Sequence, residues 1–160
     1  MARPRTFLIW GGIFEQFPGL RVVITEGAAQ WEPSFLKLLD QRASSHAGSS
    51  KLGDFTSHLK LKPSEYFARN VRVGSMIART ETEKRAEIGV GVLMWGSDYP
   101  HPEGSWPNTV SRMHDSFRGI PEADRDAMLG GNAAQIYGFD AEKLAPLVAR
   151  IGPEKQVFEA

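Results

Sequence analysis

Cysteine is missing from all 160 residues. Its absence excludes a disulfide framework, thiolate catalysis and any zinc site built on sulfur. Long apolar runs are missing too, since none approaches the roughly 18–20 residues that span a bilayer. Arg3 and Arg5 precede only Phe7-Leu8-Ile9-Trp10 before a glycine pair. That stretch is too short for a secretory h-region of about 7–15 residues. Neither sign of charge prevails: Lys plus Arg is 19, Asp plus Glu is 19, and the net charge is zero. Divided after residues 62 and 104, the chain carries +3, −1 and −2. No segment is therefore basic enough for a nucleic-acid or anionic-membrane footprint. The chain also lacks Gly-x-Gly-x-x-Gly, a phosphate-loop Gly-Lys-Ser/Thr, Gly-x-Ser-x-Gly and His-Glu-x-x-His. Nucleotide binding and serine-hydrolase chemistry thus lack their usual signatures. The expectation is a soluble, cytoplasmic protein that takes a small-molecule substrate.

What is present suits one α/β domain, with 41% hydrophobic residues, 24% charged residues, 16 glycines and 10 prolines. Leu20-Arg-Val-Val-Ile-Thr25 is a β-branched run entered from Pro18-Gly19, and its weak alternation predicts a parallel strand buried on both faces. A helix entered at Pro33 follows, with Trp31, Phe35, Leu38, Leu39 and Arg42 on one face. Residues 44–57 are small and polar and predict a long loop. Lys62-Pro63 starts a second helix and Val71–Ser75 reads as a second strand. Thr80 with Glu83 fits a capping box whose helix ends before Gly89. Val90–Trp95 predicts the third strand. Helices are then expected from Trp106-Pro107 to Gly119, and from Pro121 to a stop at Gly130-Gly131. Another is expected from an Asn132 cap to Gly138, with residues 140–160 as a terminal helical extension that Pro146 enters or kinks. Strands alternating with helices imply parallel βα units.

Ligands of parallel α/β folds bind beyond the carboxyl ends of the strands. Those ends carry Thr25-Glu26-Gly27, Gly74-Ser75 and Ser97-Asp98-Tyr99-Pro100-His101. A carboxylate in such a place is costly unless it is paired, hydrogen-bonded or bound to a cation. Asp98 with His101 three residues on suits a divalent cation or shared general acid–base work. It equally suits an aspartate capping its own turn beside a surface histidine. Glu26 divides the same way, between a ligand and a carboxylate bonded to the amides of the loop after it. His114 reads as a core or rim histidine, and His46 and His58 as surface residues flanking the polar loop. Trp31, Trp95 and Trp106 read as core or pocket wall. Glu81, Glu83, Lys84, Arg85 and Glu87 read as a solvated helix face with partners such as Glu81 and Arg85.

Several of these segments, taken in order, resemble the amidohydrolase-related (amidohydrolase 2) family. They are Phe14-Glu-Gln-Phe-Pro-Gly-Leu-Arg-Val-Val-Ile-Thr-Glu-Gly27, Trp31-Glu-Pro33, Leu38-Leu-Asp40, Lys62-Pro-Ser-Glu-Tyr-Phe67, Met94-Trp-Gly-Ser-Asp-Tyr-Pro-His101 and Gly131-Asn-Ala-Ala-Gln-Ile-Tyr-Gly138. The resemblance runs from about Phe7 to Pro153. It implies three βα units, strands six to eight with the terminal helices, from the C-terminal part of a metal-dependent (β/α)8 barrel of hydrolases and non-oxidative decarboxylases. By it Asp98 binds the metal, zinc or manganese, or handles the proton of the attacking water. Glu26 stands as a metal ligand where many members place the strand-six histidine. His101 is a catalytic residue at the site rim, and Trp31 and Tyr99 contact substrate. The His-x-His pair of strand one and the lysine or histidine of the middle strands are expected upstream of Met1. Two further readings accompany an amidohydrolase acting by metal-assisted water activation. One is a catalytically incomplete barrel fragment that pairs with itself or with the missing half along its open edges. The other is an intact small α/β binding domain.

Overall fold

The structure, a computed structural model, describes residues 2–46 and 53–158. The expected loop over 44–57 therefore lies partly outside the described residues. Its first residues, 44–46, continue the preceding helix, where the Ser44 hydroxyl donates to the Asp40 carbonyl at 3.0 Å.

Two short helices, α1 (Ala2–Trp10) and α2 (Ile13–Gln16), lead into β1 (Val22–Thr25) and then α3 (Glu32–His46). Next come α4 (Pro63–Asn70), β2 (Val71–Ser75), α5 (Arg79–Glu83), α6 (Arg85–Ile88) and β3 (Leu93–Trp95). The chain continues with α7 (Thr109–Phe117), α8 (Glu122–Asp126), α9 (Asn132–Tyr137) and α10 (Ala141–Ile151), and a 3₁₀ turn over Lys155–Phe158 ends the described residues. The three strands form one parallel sheet in the order β1-β2-β3, with Val22 opposite Val71 and Val73 opposite Leu93. Among the described residues no helix is long and apolar enough to cross a membrane.

Alternation along the strands decides where the core lies. Val71, Val73 and Leu93 are fully buried against Phe14, Tyr66, Phe67 and Phe117 of the helices. Arg5 of α1 forms a buried ion pair with Glu32 at the start of α3, with its guanidinium over the Trp31 ring at 4.6 Å. Burial lowers the Arg5 pKa to about 10.

Several boundaries differ from the sequence expectation, each for a tertiary reason. β1 begins at Val22 rather than Leu20, because the Asn70 side-chain amide claims the Pro18 and Leu20 carbonyls at 3.2 and 2.7 Å. On α3 the buried positions are Glu32, Leu36 and Leu39, and Leu38 is exposed. Thr80 does not cap α5. The cap position falls two residues earlier, at Ala78, whose amide the Glu81 side chain accepts at 2.8 Å. The third strand shortens to three residues after a 3₁₀ turn over Val90–Val92. Asn132 is responsible: its side-chain amide donates to the Val90 and Leu93 carbonyls, both at 2.8 Å. It is therefore a buried tether rather than a helix cap. Gly130-Gly131 stops nothing, since a π-helical turn over Ala127–Gly131 joins α8 to α9. Gly138 does end α9, in the left-handed conformation at φ 68° that a side chain would strain. Asp140 then caps α10 through the Glu142 and Lys143 amides, and Pro146 lies inside that helix. No residue of α10 is buried.

Candidate active site

Parallel pairing brings the three strand exits side by side. The ladder continues one step past the strands, with the Glu26 amide donating to the Gly74 carbonyl and the Gly96 amide to the Ser75 carbonyl, both at 2.9 Å. Neighbouring strands lie about 4.8 Å apart, so the exits of β1 and β3 face one another across about 10 Å. Between them opens a cavity of about 830 Å³, lined by Glu26, Ser75, Glu81, Asp98, His101 and Glu103 among others. That volume suits a small ligand.

Two features single out Glu26 and Asp98. Both adopt left-handed backbone conformations, at φ 54° and φ 57°, and no other described residue except glycine has positive φ. Such strain costs about 1–2 kcal/mol per residue and concentrates at functional sites. Neither carboxylate accepts a hydrogen bond from the amides of its own loop. The Asp98 turn is closed by its backbone carbonyl, which accepts from the His101 amide at 2.8 Å. The turn is tight enough that a Cβ at Gly104 would sit 2.9 Å from that same oxygen. In the β1 exit loop the Ala29 amide is taken by Glu81 at 2.5 Å. Both carboxyl groups are therefore left for the cavity.

His101 Nδ1 lies 3.7 Å from Asp98 Oδ2 and also pairs with Glu103. The Ser75 hydroxyl is buried without a hydrogen-bond partner at the β2 exit. The cavity wall holds four carboxylates, one histidine and neither lysine nor arginine among the described residues. Such a wall favours a cation. In donor chemistry Glu26 and Asp98 fit a divalent ion. In number they fall short, because no three His, Asp or Glu among the described residues gather closely enough to hold one.

The remaining candidates lie elsewhere. Trp31 is not on the cavity wall; it packs on Arg5 and tilts against Phe35 with centroids 5.3 Å apart. Tyr99 is exposed, edge-on to Trp106 at 6.0 Å, and likewise off the wall. Trp106 is 69% exposed, which corrects its reading as core or pocket wall. His58 bonds the Trp10 carbonyl at 3.0 Å and His114 is half-buried beside Asp115, so both serve local structure. Glu81 is the largest correction. It is 2% exposed, belongs to the cavity wall and binds two amides, whereas Arg85 pairs with Asp124 at 2.6 Å. Ser75, expected only as the end of the second strand, and Glu103, in the loop after β3, join the cavity wall as well.

The fold has counterparts among known proteins. A decarboxylase of 2-amino-3-carboxymuconate-6-semialdehyde from Dictyostelium discoideum is 25% identical over 139 residues, covering 85% of the chain and 36% of that protein. The crystal structure of 5-carboxyvanillate decarboxylase LigW from Sphingomonas paucimobilis superposes with a TM-score of 0.65 at 28% identity, over 83% of this chain and 38% of that one. A dihydroxybenzoic acid decarboxylase from Polaromonas sp. JS666, solved with bound manganese and the inhibitor 2-nitroresorcinol, shares the fold. Its TM-score is 0.62 at 20% identity, over 88% of this chain and 39% of that one. The chain thus spans between a third and two fifths of these proteins' lengths. Its three βα units are part of a barrel, as the sequence resemblance implied. The amidohydrolase family model matches residues 2–139, and with it the strand exits that carry Glu26 and Asp98. The chain belongs to the amidohydrolase family.

Proposed function

We propose that the barrel to which this chain contributes is a divalent-cation-dependent decarboxylase of a small carboxylated substrate, and that Asp98 is its central residue here. The observation that carries the reading is the cavity at the strand exits, with strained Glu26 and Asp98 on its wall and neither lysine nor arginine among its described lining residues. A carboxylated substrate entering that wall meets only repulsion unless a cation lies between them. Manganese in the Polaromonas relative and the decarboxylases among the relatives support this choice.

Glu26 and Asp98 would hold the cation, with further ligands from outside the described residues. Bound there, a divalent ion would neutralise the substrate's anionic groups and polarise them as a Lewis acid. The chain's own residues do the rest. Decarboxylation breaks the bond to the carboxyl carbon and leaves an electron pair on the substrate, so one proton must arrive as carbon dioxide leaves. His101, 3.7 Å from Asp98 Oδ2 and paired with Glu103, is placed to pass its proton by way of that oxygen to the substrate carbon that loses carbon dioxide. Met94 and Trp95 supply apolar wall that excludes water from the developing carbanion. Hydrolysis would use the same residues differently, with Asp98 accepting the proton of an attacking water.

The test is carbon dioxide release from 5-carboxyvanillate and dihydroxybenzoate by the purified protein with manganese. Asp98→Asn should lower kcat at least about 100-fold. Asn tolerates left-handed backbone, so the fold should survive. Turnover within threefold of wild type would sink the assignment. Hydrolysis of an ester or lactone without decarboxylation would transfer it to the other chemistry.

A further inference from the structure

Glu81 is a buried carboxylate on the cavity wall that the chemistry above does not use. Local capping of α5 occupies only Oε2, which accepts the Ala78 amide at 2.8 Å. Oε1 reaches across 52 residues of sequence to the Ala29 amide at 2.5 Å. Ala29 is itself fully buried, and its carbonyl accepts the Glu32 amide at 3.0 Å, which ties it to the start of α3. The β1 exit is therefore pinned at both ends, by the Glu26 amide on Gly74 and by Ala29 on Glu81. α5 is anchored in turn: the Thr82 hydroxyl donates to the Ser116 carbonyl at 2.7 Å and Arg79 to the Arg118 carbonyl at 2.6 Å. Strained backbone persists only where its surroundings over-determine it.

We propose that Glu81 is a positioning residue of the site: its carboxylate locks the β1 and β2 exit loops together and so holds Glu26 in the left-handed conformation that faces the cavity. The proposal rests on reading the strand exits as the active site. Both Glu81 oxygens are occupied by backbone amides, so the residue acts through Glu26 and not on substrate.

Hydrogen exchange read by mass spectrometry, alongside turnover, tests it on the wild-type chain, Glu81→Ala and Glu81→Gln. In Glu81→Ala, amides of residues 27–31 should exchange at least about tenfold faster, while those of 71–74 in the central strand stay within about twofold. Gln can accept only one of the two amides, so Glu81→Gln should fall between and carries the test if the Ala variant does not fold. Turnover with manganese should drop at least about tenfold in kcat, with KM held within about threefold. Unchanged exchange at 27–31, or an acceleration matched at 71–74, overturns the proposal. If wild type itself shows no turnover, the decarboxylase reading fails and the exchange result alone decides the clamp.

Discussion

Glu26 and Asp98 hold the same backbone conformation for different reasons of chemistry. Aspartate visits the left-handed region with some ease, through its short polar side chain, whereas glutamate has no such help. The strain at Glu26 is therefore the greater of the two. Glycine relieves it and alanine keeps it, while both remove the carboxylate. Glu26→Gly should be more stable than Glu26→Ala by about 1 kcal/mol, read from urea midpoints. The same comparison at Asp98 should show a smaller gap. Equal midpoints at Glu26 would show that its loop relaxes out of the left-handed region once the side chain is gone. Nothing in the local sequence marks Glu26 as left-handed, because glutamate carries no propensity for it. Its place directly after a β-branched strand was legible, and that alone made it a candidate.

Among the elements, α2 and α4 are joined by one polar network. The Tyr66 hydroxyl donates to Glu15 Oε2 at 2.5 Å and accepts from the Lys60 amide at 3.0 Å, while Lys60 Nζ pairs with Glu15 at 2.9 Å. The Tyr66 bond, followed by Lys60, holds the Glu15 carboxyl below its ordinary value of 4.5. A carboxyl whose folded pKa is depressed stabilises the fold above its unfolded value and loses that contribution as pH falls through the folded one. Wild type should therefore lose stability relative to Glu15→Gln as pH falls below about 4.5, and the two should run parallel from pH 5 to 8. Urea denaturation at each pH checks it, and a constant difference throughout would refute it. Elements with strong local patterns, β2 and the start of α4 at Pro63, were legible in the sequence. Those whose limits are set by a distant side chain were not. Asn132 shortens β3 from 39 residues away, and Asn70 trims β1. Glu81 looked solvated beside Glu83, Lys84 and Arg85, and only the meeting of two loops buries it.

For the molecule as a whole, the sheet ends at β1 and β3, each paired only with β2 among the described residues. Open parallel edges offer rows of unpaired backbone groups to any strand of matching direction. Arg72 of the central strand donates from Nη1 to the Ala68 and Val71 carbonyls at 3.1 and 2.8 Å, while its Nε is buried without a partner. Light scattering should accordingly give a mass above the 17.7 kDa of one chain at micromolar concentration. A strict monomer whose edge amides resist exchange would show that the edges are covered from within. The sheet has one more consequence, at its opposite limit. Because the Glu26 amide is still a rung of the ladder and Gly96 another, the mouth inherits the sheet's order. Fixing a backbone residue costs about 1–2 kcal/mol in entropy, and here that loss is incurred when the strands pair. A ligand arriving at Glu26 meets a backbone already immobilised, so its affinity is not reduced by having to order the loop that receives it.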